Sequence, residues 1–320
     1  MLLRIFRFIS SFLLLFFSQT SVTAPYDNIY QSIESYFDPT YVTFGGGYDF
    51  ADNIEFNDIY FEAQAAVNMN WWNAQTNTKR EHWACNANRD VCGLYVPVTF
   101  VVRQFRSSSS PVKTPTYNPG MRFVYANSAW ITDENNFHYI TAGFHHYSNG
   151  QQGDHFIDGT DIVNTEDGSF SSDYLELAYQ KINNNHSTQM LRLKLRTYLT
   201  DLTWEEEQTD YHEDALLEAT GAFNLRKLFN DDEPGFLKKH MKESELFLTI
   251  GYKFGKKYLA ANTETEINDN FQYKLEFITK PKAWNDMAWY IRWDKGFDYY
   301  NINYRNKINR IQIGLINKPF

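Results

Sequence analysis

The sequence predicts an all-β fold, a transmembrane antiparallel β-barrel. Three observations carry the prediction. Segments of about ten residues alternate apolar and polar side chains with a period of two. Aromatic residues make up 18% of the chain, yet its mean hydropathy is −0.53. Beyond Ala24 there is no run of about 18 apolar residues, the minimum for a membrane-crossing helix.

In chain order, Met1 to Ala24 reads as a secretory signal peptide. Arg4 and Arg7 form its charged start, Phe12-Leu13-Leu14-Leu15-Phe16-Phe17 its apolar middle and Ser21-Val22-Thr23-Ala24 its small-residue end. Residues 25–320 then read as one barrel domain without internal repeats. Cys85 and Cys92 lie in a polar segment with no companion ligands. In an oxidising compartment they suit a small loop disulfide better than a metal site. The clearest strand patterns follow. Leu191, Leu193, Leu195, Thr197 and Leu199 form one stripe, and Leu246, Leu248, Ile250, Tyr252 and Phe254 another. Phe271, Tyr273, Leu275 and Phe277 give a third, Met287, Trp289, Ile291 and Trp293 a fourth, and Ile311, Ile313 and Leu315 a last one.

The residues between these apolar positions are heavily charged: Arg192, Lys194, Arg196, Lys274, Glu276, Arg292 and Asp294. A dry sandwich core would not tolerate them. A barrel with lipid outside and water inside needs that split, and closure removes the sheet edges that lipid forbids. Polar connectors separate the strands at Arg106–Thr116, Gln151–Gly168 and Glu205–Asn230, with the long ones expected on the outer side. The Gln151–Gly168 connector is acidic, carrying Asp154, Asp158, Asp161, Glu166 and Asp167. The chain ends on Phe320, an aromatic terminus of the kind outer-membrane barrels favour. A net charge of −9 and a pI near 5.4 leave no basic footprint for nucleic acid.

One strand carries chemistry. Ile140, Ala142, Phe144, His146 and Ser148 share a face, because alternate side chains of a strand point the same way. A base and a nucleophile therefore sit side by side at the end of an apolar stripe, a placement that suits a lipid substrate. In the strand returning from the acidic connector, Asp173 heads the stripe Asp173, Leu175, Leu177 and Tyr179 at the same level. His, Ser and Asp then converge across two adjacent strands, and a Ser–base–carboxylate set is what activates a weak hydroxyl nucleophile. Each member also has an ordinary reading. A His suits an interfacial girdle, Ser-Asn-Gly is a common turn, and the acidic connector suits a solvated loop.

The stretch Gly143-Phe144-His145-His146-Tyr147-Ser148-Asn149-Gly150 resembles the His-x-Ser-Asn-Gly signature of bacterial outer membrane phospholipase A. Ser109-Ser110-Pro111 with Thr116-Tyr117-Asn118-Pro119, and Ser169-Phe170-Ser171-Ser172-Asp173, resemble two further segments of that family. The similarity is strong over about 105–180 and faint elsewhere. It implies a barrel of about 12 strands in the bacterial outer membrane, with its active site on the outer wall in the outer leaflet. It also implies calcium-dependent hydrolysis of phospholipid sn-1 and sn-2 acyl esters (phospholipase A1, A2 and lysophospholipase activity) and activation by homodimerisation.

Carried over, the resemblance makes Ser148 the nucleophile, His146 its base and the Gly150 backbone N–H part of the oxyanion hole. Asp173 stands where the family usually has Asn. The calcium ligands implied are the Gln151 carbonyl and the Ser169 hydroxyl of one subunit with Ser109 of the other. The Gln151–Ser169 connector is longer than the family's, and Asp154 is a candidate to supplement them. Tyr117 would line the acyl-binding surface. The rival from another class is a catalytically inactive channel or structural barrel, with which the charged inward set is compatible.

Overall fold

A computed structural model describes residues 27–47, 60–73, 85, 90–104, 112–160, 162–164, 166–199, 214–228, 241–255, 270–285, 287–300, 304 and 307–318. The expected signal peptide, Ser109, Asp161 and Phe320 lie outside them.

The chain opens with a short helix, α1 (Asp27–Glu34), followed by β1 (Thr40–Gly47), β2 (Tyr60–Asn73), β3 (Val91–Gln104) and β4 (Thr116–Ala126). A three-residue strand, β5 (Ile131–Asp133), precedes β6 (Asn136–Ser148), β7 (Ser171–Asn183), β8 (Thr188–Tyr198) and β9 (Ala215–Asn224). Then come β10 (Met241–Phe254), β11 (Phe271–Pro281), β12 (Met287–Phe297) and β13 (Lys307–Asn317). Every pairing is antiparallel between chain neighbours, β1 pairs with β13, and β4 pairs directly with β6 across the short β5. The sheet therefore closes on itself as a barrel of twelve long strands, and the fold class read from the sequence holds.

The five alternating stripes all face outward. Leu191 and Leu193 are 53% and 56% exposed, and Ile250, Trp289, Ile291, Ile311 and Ile313 are also exposed. The intervening Arg196, Glu176, Arg292, Asp294 and Arg310 are drawn into ion pairs in the lumen. Such a belt of bare apolar side chains is stable only in lipid.

One reading needs correction. Glu205–Asn230 is not a single connector, because β9 lies inside it at Ala215–Asn224. Its outward face is Ala215, Leu217, Ala219, Gly221 and Phe223, whose small members flatten the hydrophobic alternation. Long connections also occur at the end of the barrel opposite Ser148, between β2 and β3 and between β9 and β10. In the first of these, Cys85 is joined by a disulfide to Cys92 at the start of β3.

The hydrophobic core is inside the barrel at that same end. Ile29, Tyr30 and Ile33 occupy one side of α1, since Ile33 lies four residues from Ile29 and three from Tyr30, the spacings that fall together on a helix. They pack against inward residues of the wall: Val91, Phe137, Ile182, Met190, Ile278 and Ile316. The Tyr30 hydroxyl donates to the Cys92 carbonyl at 2.7 Å and accepts from the Cys92 N–H at 3.1 Å. Burial of each such side chain stabilises by roughly 1.5–3 kcal/mol, so this short eight-residue helix is held as a plug. Above this apolar layer the lumen is polar, and a cavity of ≈ 290 Å³ lies between the wall's charged side chains.

Candidate active site

The hairpin of β6 and β7 is paired without a bulge from Asn136↔Asn183 to Ser148↔Ser171. That unbroken register sets Asp173 opposite His146, with both on the outward face. His146 Nδ1 and Asp173 Oδ1 are 2.7 Å apart, with the carboxylate side chain 12% exposed and the imidazole 31%. An ionised carboxylate only accepts, so Nδ1 carries the hydrogen and Nε2 is left as the basic nitrogen. Ser148 is two residues further on the same face, next to Ser171 on β7 and Tyr117 on β4.

Tyr117 is half-exposed and meets the Phe100 ring at 5.3 Å between centroids. Gly150 has φ 69°, a left-handed conformation natural to glycine, and a side chain there would reach to 3.5 Å from the Tyr117 ring. Tyr117, Ser148 and Gly150 therefore border one outward-facing patch that opens onto Phe144 and Leu175 of the apolar belt.

Residues without an expected role hold this patch in shape. Asn149 is buried: its side chain donates to the Gly168 carbonyl at 2.8 Å and accepts from the Phe170 N–H at 3.0 Å and the Gln151 N–H at 3.2 Å. Its own backbone N–H donates to the Phe170 carbonyl at 3.0 Å. One side chain thus locks both roots of the 149–170 loop. Asn149→Ala should lower the rate of any Ser148-dependent chemistry about 10- to 100-fold with the barrel intact, since displacing reacting groups by an ångström costs that much. Unchanged turnover in a folded variant would refute this. In the sequence Asn149 stands in a turn tripeptide and in the His-x-Ser-Asn-Gly signature, neither of which assigns its side chain this bracing role.

Farther along, His155 is buried, with Nδ1 2.8 Å from the Ser169 carbonyl and Nε2 3.3 Å from the Tyr304 hydroxyl. Tyr147, between His146 and Ser148 but inward-facing, donates its hydroxyl to the Tyr299 carbonyl. The loop between β12 and β13 is thereby tied to the site.

The expected calcium ligands are only partly brought together. The 151–154 segment runs beside 167–169: the Gly153 N–H donates to the Asp167 carbonyl at 3.2 Å, and the Ser169 N–H to the Gly153 carbonyl at 2.7 Å. Gln151 and Ser169 therefore belong to one local structure, while Asp154 is exposed. Among the described residues no group of three His, Cys, Asp or Glu gathers as a metal site. Hard carbonyl and hydroxyl oxygens are nevertheless donors that calcium accepts, so the residues present suit it in kind.

No protein-family model matches the chain, and no curated protein does. Solved structures do. A Salmonella typhi outer membrane phospholipase dimer with bound calcium is 13% identical, with a TM-score of 0.55 over 92% of this chain and 99% of that one. Escherichia coli outer membrane phospholipase A is 14% identical, with a TM-score of 0.52 over 91% and 98%. An active-site mutant of the E. coli protein gives 14% and 0.51 over 88% and 90%. At this identity the likeness speaks for the backbone: the chain has the outer-membrane barrel fold of phospholipase A.

Proposed function

We propose that the protein is a calcium-dependent outer-membrane phospholipase that hydrolyses sn-1 and sn-2 acyl esters, lysophospholipids included, through an acyl-enzyme on Ser148. The observation that carries this reading is the His146–Asp173 contact at 2.7 Å, on an outward apolar face that Ser148 shares. A pore has no use for that arrangement. A lipid ester lying in the outer leaflet would meet it directly.

In the first half-reaction His146 Nε2 takes the Ser148 proton as Oγ attacks the ester carbonyl. Asp173 holds Nδ1–H and stabilises the imidazolium that forms. The Gly150 N–H donates to the oxyanion, and collapse breaks the bond to the leaving oxygen, which receives the proton from His146. In the second half His146 deprotonates a water that attacks the acyl-serine. The fatty acid leaves and Ser148 regains its proton. The Tyr117 ring lies beside the nucleophile as a surface for the acyl chain. Gln151 and Ser169, with Asp154 and with Ser109 from a second subunit, would hold calcium, which when bound would supply positive charge to offset the negative charge that develops in the reaction.

Fatty-acid release from mixed phospholipid–detergent micelles, with calcium and then with chelator, tests the reading. Calcium-dependent release is expected. Release indifferent to chelator would remove the metal, and no release from folded protein would remove the enzyme. A site open to the membrane needs restraint, and homodimerisation supplies it in this proposal. A dilute monomer should be much less active than a cross-linked dimer, and equal activity would sink that control.

The charged lumen favours a second reading, a small-solute channel. The α1 plug opposes it. In planar bilayers the intact barrel should conduct poorly, whereas Ile29→Asp with Ile33→Asp should release the plug and raise conductance severalfold, because two carboxylates cannot be desolvated in that layer. High, steady conductance of the unaltered barrel would restore the channel.

A further inference from the structure

Tyr139 on β6, Gln180 on β7 and Arg192 on β8 are direct cross-strand neighbours, paired Tyr139↔Gln180 and Gln180↔Arg192. All three point into the lumen, where directly opposed side chains start about 5 Å apart. Tyr139 is 0% exposed and Gln180 5%. The Tyr139 hydroxyl, the Gln180 Nε2 and the Arg192 Nε are each buried, and none has a hydrogen-bond partner among the described residues. Buried polar groups are nearly always satisfied, so three orphaned donors in a row mark a place where something accepts.

The charge balance says what kind of acceptor it is. Four arginines line the lumenal cavity. Arg122 pairs with Asp38 and Glu176, Arg196 with Glu176, and Arg292 with Asp294. Among the described residues Arg192 has no ion pair. Glu276 lies within its electrostatic reach, but that carboxylate is bonded by the Tyr290 hydroxyl and paired with Lys274 at 3.9 Å. A single water accepts two hydrogen bonds at most and brings no charge to a half-buried guanidinium whose Nε is fully covered. A small anion with several oxygens answers all three donors and the charge together. Gln180 and Arg192 line the ≈ 290 Å³ cavity, which has room for such a molecule, and the barrel wall separates it from lipid.

We propose that Tyr139, Gln180 and Arg192 form a lumenal binding site for a small oxyanion of the phosphate or carboxylate class. The site faces away from Ser148, and the proposal stands whether or not the barrel is a phospholipase.

The test is thermal unfolding of the refolded full-length protein in detergent, free of calcium, titrated separately with phosphate, acetate and chloride at matched ionic strength. Phosphate or acetate should raise the unfolding temperature saturably while chloride does not, and the tighter of the two identifies the class. Arg192→Gln and the nearly isosteric Tyr139→Phe should each weaken half-saturation about tenfold, the usual result of losing one charge-assisted hydrogen bond. Lys253→Gln, which removes a cavity-lining cation that sits over the Phe297 ring, should leave it unchanged. No saturable effect in the unaltered protein would overturn the site. So would equal weakening by Lys253→Gln and Arg192→Gln with Tyr139→Phe silent, since that pattern is diffuse charge.

Discussion

Ser148→Ala should abolish fatty-acid release, lowering turnover at least about 10⁴-fold while the barrel folds and migrates as before. The hydroxyl is the attacking atom in the proposed mechanism, and alanine leaves no substitute for it. His146→Ala should be about as severe, and the double variant little worse than either single one, because the two act as a unit. Asp173 separates two physical contributions. In Asp173→Asn an amide oxygen can still accept from Nδ1–H, and the resemblance implies that Asn serves at this position, so activity should stay within about tenfold. Asp173→Ala removes the acceptor, frees the ring to rotate, and should cost about 10²-fold or more. Micelle hydrolysis at saturating calcium, checked against heat-dependent gel mobility for folding, reads all five. A Ser148→Ala protein that still released fatty acid would place the chemistry elsewhere.

How much of this was legible depended on periodicity. β7, β8 and β10–β13 announce themselves because bulky apolar residues face lipid while charges face the lumen, giving the largest amplitude a period of two can have. β9 stayed hidden because Ala219 and Gly221 face outward where Leu would have marked the stripe. α1 stayed hidden because Ile29, Tyr30 and Ile33 span barely one turn, which is too short to show a period of 3.6. The meeting of His146 and Asp173 could be read in advance because the hairpin between them has no bulge, so counting in twos from each end keeps both on one face. Contacts that depend on loop geometry could not be counted. Asn149 reads as a turn residue within the His-x-Ser-Asn-Gly signature, with no sign of the loop it braces, and nothing local to Tyr147 points to Tyr299, which is 152 residues away.

The second large effect is expected from the lumen. Arg103→Ala should destabilise the barrel by about 3–5 kcal/mol, the usual result of stripping one partner from a buried ion-pair network. Arg103 is 1% exposed, with Nε 2.6 Å from Glu62 and Nη1 2.6 Å from Asp298. Its guanidinium also lies 4.8 Å from the Tyr299 ring centre and 4.3 Å from that of Tyr300. Alanine would leave Glu62, fully buried, with Arg292 at 4.0 Å as its remaining cation at ion-pair range among the described residues. Removing both charges, in Arg103→Met with Glu62→Gln, should recover much of the loss, because the cost lies in the uncompensated carboxylate more than in the missing pair. Urea unfolding of the three proteins in detergent gives the comparison, and a double variant as unstable as Arg103→Ala would refute the electrostatic account.

The same substitution should reach the outer face. Asp298 begins the turn in which Tyr299 accepts the Tyr147 hydroxyl and Tyr300 donates to the Thr114 carbonyl at 2.6 Å. Tyr147 is the residue between His146 and Ser148. Releasing Asp298 therefore loosens the one strand end that must hold base and nucleophile together. Arg103→Ala should lower hydrolysis even in urea-free detergent, where most of the protein is still folded.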